Sequence, residues 1–308
     1  MIAFILILIL GFNGAIYLVL GGIMVNDGYN GLFSACLHAL GSAVSLIVAC
    51  RVMRQPIRWK RVHLKYYVIC AFLGLIGPAV STFWVIPHIG TGLMAAVIAT
   101  SPLFTALFSH LLKVEPFNRI LSLGIAIGFF GAAIIILGEV SWPTAPNKYI
   151  WLLISVIVPI CLALGNVARS ALWPTGLTPI QAGSGISLVA LMVSICLIPF
   201  FEPKVLVELP QVNSLWIMAA FTLLNGISAF PFFYLQKIGG PTLLSLLSHA
   251  MAGFGLLLGA FFFGETYRFL DFLGVGLILI GVSSTSYFRH QRTQKLTFQN
   301  ANASNVHT

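Results

Sequence analysis

The sequence predicts an all-α polytopic membrane protein, with ten transmembrane helices in two inverted five-helix repeats. Three observations carry that expectation. The 308 residues are 59% apolar and only 7% charged, whereas a soluble domain is about a quarter charged. The few charges cut the chain into long charge-free windows. The two halves also resemble each other at a nearly constant offset. The composition excludes a soluble enzyme and a disordered or fibrous chain, since 16 Lys+Arg and 7 Asp+Glu cannot coat a soluble surface of this length.

The charge-free windows are 1–26, 28–50, 66–112, 120–138, 149–168, 170–201, 209–236, 238–264 and 272–288. A spanning helix needs about 20 apolar residues. Eight windows hold one span each. The 66–112 window holds two, separated at Pro87-His88-Ile89-Gly90.

The first span, about 2–21, lacks a basic leading segment and has span length, so it reads as a helix and not as a cleaved signal peptide. The second, 32–50, ends at Arg51. The third and fourth are 66–86 and 91–112. The fifth, 120–138, lies between Arg119 and Glu139, and the sixth, 149–169, between Lys148 and Arg169. The seventh, 179–200, stops before Glu202. The eighth, 213–236, stops before Lys237; the ninth is 241–263; the tenth, 271–288, stops before Arg289. The runs are too long and continuous for a lipid-facing barrel. A helix also satisfies its own backbone groups, as lipid demands. The halves divide as 1–140 and 141–289, followed by a polar tail, 290–308, expected to be disordered and cytoplasmic.

With the N-terminus cytoplasmic, thirteen Lys/Arg fall inside and three (Lys148, Lys204, Arg268) outside. Six of the seven acids, all but Glu115, fall outside. This bias places both termini in the cytoplasm. It also accounts for the net charge of +9 without nucleic acid. Anionic lipid head groups are the expected partners of the basic 51–65 segment. The five cysteines lie in or at the ends of spans, without a close pair, and read as small buried residues.

The repeat appears in short pieces. Val114-Glu115-Pro116-Phe117 falls on Gly264-Glu265-Thr266-Tyr267 at offset 150, which also pairs Gly124 with Gly274 and Gly131 with Gly281. Offset 149 pairs Ile89-Gly90 with Ile238-Gly239, Gly77 with Gly226 and Phe72 with Phe221. Five spans per half is odd, so the second half enters the membrane from the opposite side. In inverted repeats the substrate site lies near the midplane between the halves.

This arrangement resembles the drug/metabolite transporter superfamily, EamA type. The resemblance rests on Leu10-Gly11-Phe12-Asn13-Gly14-Ala15, on Ser101-Pro102-Leu103-Phe104-Thr105-Ala106-Leu107, on Gly264-Glu265-Thr266 and on the glycine-spaced closing helices of each half. Val114-Glu115 replaces the usual Gly-Glu, and His38 stands where an arginine is common. The resemblance implies a metabolite transporter of the bacterial inner membrane, with efflux of amino acids or related compounds as the family pattern.

Ten residues are candidates for substrate binding: Asn13, Trp84, Ser101, Thr105, Asn166, Arg169, Asn225, Tyr234, Ser248 and His249. An ionisable group within a span is a functional candidate by default. His249, about two turns inside the ninth span, fits proton coupling, substrate contact or a hydrogen-bonded structural imidazole. Asn13 and Asn166 open their respective halves and fit either cavity lining or interhelical bonding. Arg169 lies one turn beyond Asn166 and fits either snorkelling to the cytoplasmic surface or contact with a substrate carboxylate. Trp84 and Tyr234, near the ends of the third and eighth spans, fit interface anchors or substrate contacts. Ser101, Thr105, Asn225, Ser248 and their neighbours Ser228 and Ser245 are suited to a polar cavity wall. Asn13, Asn166 and His249 are expected to share one central cavity. No hydrolase, metal-helix or phosphate-loop motif occurs, so no catalytic residue, metal or cofactor is expected. The expected function is a secondary transporter, most simply an exporter, of a small organic metabolite by alternating access. Alternatives are a lipid or lipid-precursor flippase, a non-transporting scaffold and an integral enzyme.

Overall fold

The structure, a computed structural model, describes residues 2–115, 119–139, 146–207 and 212–264, with 269–270, 272–274, 276–277 and 280–281 beyond them. Among these residues every regular element is helical. Seven helices are long and apolar enough to cross a membrane, and two shorter apolar helices, Ser122–Gly131 and Leu247–Phe262, fall on the fifth and ninth expected spans. The protein is an all-α polytopic membrane protein. Most of the tenth span, Glu265 and the tail lie outside the described residues.

Helices α1 (Ile2–Asn26) and α2 (Gly31–Val52) are the first two spans. The third is α3 (Arg61–Ala71), a π turn (Phe72–Ile76) and α4 (Gly77–Ile89). Pro78 explains the π turn: its ring would clash with the carbonyl four residues back, and widening the turn relieves the clash. The fourth span is α5 (Thr91–Ile98) and α6 (Ser101–Leu111), broken just before Pro102 in the first turn of α6. The fifth is α7 (Arg119–Glu139). The sixth is α8 (Pro146–Ser155) and α9 (Ile157–Ala171), with Pro159 in the first turn of α9. The seventh is α10 (Pro179–Phe201), opened by a capping box between Thr178 and Gln181. After the single turn α11 (Lys204–Val207), the eighth span is α12 (Val212–Ser245) up to its kink at Gly240. The ninth begins after that kink and continues as α13 (Leu247–Phe263).

Gly90 and Gly240 make equivalent corners. Each sits at positive φ (87° and 69°) between two spans, a conformation open to glycine at little cost. They are 150 residues apart, so the corners match at offset 150, one residue beyond the pairing of Gly90 with Gly239 read from the sequence. At Leu246, where no proline breaks the ninth span, hydroxyls bond backwards instead. Ser245 Oγ donates to the Thr242 carbonyl and Ser248 Oγ to the Ser245 carbonyl, both at 2.7 Å. Such bonds bend helices.

Packing follows the small residues. The first span packs on the ninth and the sixth on the fourth; the second packs on the eighth and the third on the seventh. Each pair maps onto its partner when the halves are exchanged. The second span also packs on the seventh. Close approach occurs where a side chain is missing. A Cβ on Gly41 would strike the Thr222 carbonyl of α12, and one on Gly165 would strike Gly74. A Cβ on Gly281 would meet the Gly124 carbonyl, joining the described part of the tenth span to the fifth. Of the cysteines, Cys36, Cys50 and Cys70 are buried, whereas Cys196 is exposed on the outer face of α10.

One end of the bundle is closed by carboxylates. Glu202 accepts from the backbone N–H groups of Leu32 (2.9 Å) and Phe33 (3.0 Å). It thereby caps α2 from another span, while the adjacent Asn30 makes no side-chain cap. Burial pushes the Glu202 carboxyl up, and the two amides hold it partly down. Asp27 accepts from Ser214 Oγ at 2.9 Å at the same end. Replacing Glu202 with Ala leaves two amides uncapped and should cost about 1–3 kcal/mol. Glu202→Gln, which keeps one acceptor oxygen, should melt closer to the wild type. Equal melting of wild type and Glu202→Ala would remove this cap from the account of stability.

Candidate functional site

A cavity of about 220 Å³ opens at the centre of the bundle, between the two halves. Spans one to four and six to nine contribute to its wall. Most of the wall is apolar, including Leu75, Leu162, Phe232 and Phe233, with polar groups set into it. Helical spacing places them: Asn13 and Tyr17 are one turn apart on α1, and His38 and Ser42 one turn apart on α2. Tyr17 stacks on Phe221 at 5.0 Å between centroids and meets the His38 ring edge-on at 5.5 Å.

Six of the ten sequence candidates line this cavity: Asn13, Ser101, Asn166, Arg169, Asn225 and Ser248. Asn13 Nδ2 donates to its own helix, to the Ile9 carbonyl at 2.9 Å, and Asn225 Nδ2 to the Phe221 carbonyl at 2.7 Å. The Asn225 backbone carbonyl accepts from Ser42 Oγ at 3.4 Å, joining α2 to α12.

Four candidates do not line it. Trp84 is exposed on the outer surface, edge-on to Trp151. Tyr234 is likewise on the outer surface, stacked on Phe230. Thr105 is fully buried in α6, and its hydroxyl has no hydrogen-bond partner. His249 is buried beside Gly128 of α7, leaving no room there for a Cβ. Neither of its ring nitrogens makes a hydrogen bond of ordinary geometry. The expectation of one cavity shared by Asn13, Asn166 and His249 is therefore corrected. The first two reach it, and His249 turns to the far side of its helix, toward the fifth span.

Arg169 departs from the snorkelling alternative. It is 2% exposed. Its Nη2 donates to Asn166 Oδ1 at 2.6 Å, its Nη1 to the Gly74 carbonyl at 3.1 Å and its Nε to Gln236 Oε1 at 3.3 Å. The Phe232 ring lies 5.1 Å from the guanidinium carbon, within cation–π range. The sequence explains the Gly74 contact. Pro78 has no N–H to offer the carbonyl four residues back, which is that of Gly74. Gly74 also has no side chain, and a Cβ there would collide with the Arg169 Nη1. Gln236 Nε2 closes the network by donating to the Asn166 carbonyl at 3.2 Å and to Ser170 Oγ.

Several wall residues were not among the ten: Tyr17, His38, Ser42 and Ser187, with Gln236 behind the wall. The one-turn spacing from Asn13 to Tyr17 was a usable signal for the first of these. Nothing in the sequence pairs Gln236 with Arg169, which is 67 residues away.

Residues 1–137 match the model of the EamA-like transporter family. Proteins described as the uncharacterized inner membrane transporter YedA, from Escherichia coli strains K12 and O157:H7, are 25% identical over 213 residues. The match takes in 63% of this chain and 61% of the length of those relatives. A crystal structure superposes with a TM-score of 0.66 at 17% identity, covering 90% of this chain and 98% of the other, which establishes a shared fold. The matched residues include Asn13, Tyr17, His38, Ser42 and Ser101 of the cavity wall, and the rest of the chain supplies Asn166, Arg169, Ser187, Asn225 and Ser248.

Proposed function

We propose that this protein is a secondary transporter of the inner membrane that moves a small organic metabolite by alternating access through the central cavity. Export is the direction implied by the family resemblance. The observation that carries this reading is the cavity itself: a partly apolar chamber with polar groups from both halves, bounded by helices broken at Ala99–Thr100 and Leu246. Broken helices expose backbone groups and provide places to bend. The YedA relatives and the match to the EamA-like transporter family support the same reading. The polar wall groups and the compact volume favour a metabolite over a lipid chain.

The test is uptake and counterflow in proteoliposomes of the purified protein, with a panel of labelled organic solutes and with or without a pH gradient. Movement of at least one solute above protein-free vesicles is expected. Absence of transport across the panel in both directions would sink the proposal.

The orientation belongs to it. Thirteen of sixteen Lys/Arg fall on one side, so both termini and the 51–65 segment are placed in the cytoplasm. In a cysteine-free background, Gln55→Cys and Asn302→Cys should resist an impermeant thiol reagent in intact cells and react after lysis. Labelling of either site in intact cells would reverse the assignment.

A further inference from the structure

Resting on the transporter reading, we infer that the central cavity takes a solute bearing a carboxylate on a compact apolar body, and that Arg169 anchors that carboxylate. Among the described residues Arg169 is the only Lys or Arg on the cavity wall, and no Asp or Glu lines it. Among the described residues no carboxylate pairs with its guanidinium; its partners are two amide oxygens and one backbone carbonyl. A guanidinium has five N–H donors. Three are engaged, one each from Nε, Nη1 and Nη2, so one N–H on each Nη is left over. These N–H groups remain to donate to a further acceptor, and a carboxylate is the acceptor a guanidinium binds most strongly.

A buried, unpaired cation is costly in a membrane protein, and such residues mark solute pathways. The surrounding network removes the usual alternative of a mobile side chain. Asn166, Gln236 and the Gly74 carbonyl fix the guanidinium plane before any solute arrives, and preorganisation of this kind strengthens binding. Ser187, on the same cavity wall, is a second fully buried polar residue, and its Oγ has no hydrogen-bond partner among the described residues. The apolar part of the wall, Leu75, Leu162, Phe232 and Phe233 among it, suits a hydrocarbon body. The volume of about 220 Å³ suits a small body such as a branched chain or a single ring.

The probes are matched acids and amides of one shape: 4-methylpentanoate with 4-methylpentanamide, and 3-phenylpropanoate with 3-phenylpropanamide. Leucine is added as a zwitterion and 3-methylbutylamine as a cation. Binding is read by thermal shift and by calorimetry on the purified full-length protein. At least one carboxylate should bind about ten- to a hundred-fold tighter than its amide, the range for a charge-assisted hydrogen-bond pair, and the amine should not compete. Arg169→Gln should erase the preference for the acid.

Because Arg169→Gln could disturb folding, the deciding variant is Asn166→Asp. It places a permanent carboxylate against Nη2 in a side chain of nearly the same shape. It should fold as well as the wild type and lose the acid preference, since the anchor is already neutralised. An acid preference that survives in Asn166→Asp or Arg169→Gln would overturn the assignment. So would the absence of acid-over-amide preference across the panel. Amides transported as fast as acids would leave the transporter reading intact and remove the anchor. Arg169-dependent acid binding without transport of any solute would do the reverse.

Discussion

Gly41→Val should yield little or no folded protein. The residue sits where α2 crosses α12, and the atoms nearest its new Cβ are all backbone: the Thr222 carbonyl and the Gly226 amide. Side chains can rotate away from an intruder, but two helix backbones can only separate. Separation would also break two hydrogen bonds that stitch the crossing, Ser45 Oγ to the Gly226 carbonyl at 2.7 Å and Ser42 Oγ to the Asn225 carbonyl at 3.4 Å. Overpacking alone typically costs about 1–3 kcal/mol. Interhelical hydrogen bonds in membranes add roughly 0.6 kcal/mol each. Together these should remove the monodisperse peak in size exclusion or lower the melting temperature sharply. Gly276→Ala is the control, because a Cβ there meets nothing within 4 Å. A Gly41→Val protein that melts with the wild type would show that the crossing is looser than described.

Ser228→Trp should abolish transport while leaving a folded protein. Ser228 lies on the cavity wall, and its hydroxyl bonds only to its own helix, to the Leu224 carbonyl at 2.8 Å. Losing that bond costs the helix little. The indole has an open space of about 220 Å³ to enter, so it need not displace the core as an overpacked residue would. It would occupy the volume that a solute must cross. The measurement pairs a melting curve with the proteoliposome assay. Transport at the wild-type rate in a properly folded Ser228→Trp protein would place the pathway elsewhere.

Much of the fold was legible because the bilayer acts as a strong, simple selector. Long apolar windows and the charges between them locate nine of the expected spans to within a few residues of the described helices, since lipid penalises both unpaired backbone and buried charge. Two of the interruptions coincide with prolines in the first turn of the following helix, Pro102 and Pro159, whereas Pro231 lies within α12 without breaking it. The break at Leu246 was not legible. It coincides with hydroxyls that bond backwards along the helix, a choice that rotamers and neighbours decide.

The candidate site divides along the same line. Asn13, Ser101, Asn166, Arg169, Asn225 and Ser248 were recognisable as polar groups in apolar helices, and such groups turn toward protein or water. Residue type alone could not place Trp84, Tyr234, Thr105 and His249, because each has a physically sound position away from a cavity. His249 shows the point most clearly. It lies on the same helix as Ser248, about 100° around its axis, so Ser248 reaches the cavity while His249 packs on Gly128.

By itself, then, the sequence determined that this is a polytopic helical membrane protein, where most of its described spans begin and end, and which residues are too polar to face lipid. Only the tertiary structure decided which of those residues meet. Arg169 could have extended to the surface. It is buried because Gly74 leaves room on the third span, Pro78 frees a carbonyl there, and Gln236 arrives from the eighth. Those three contributions are far apart in the chain, and a helix's local periodicity carries no information about which distant helix will supply its hydrogen-bond partners.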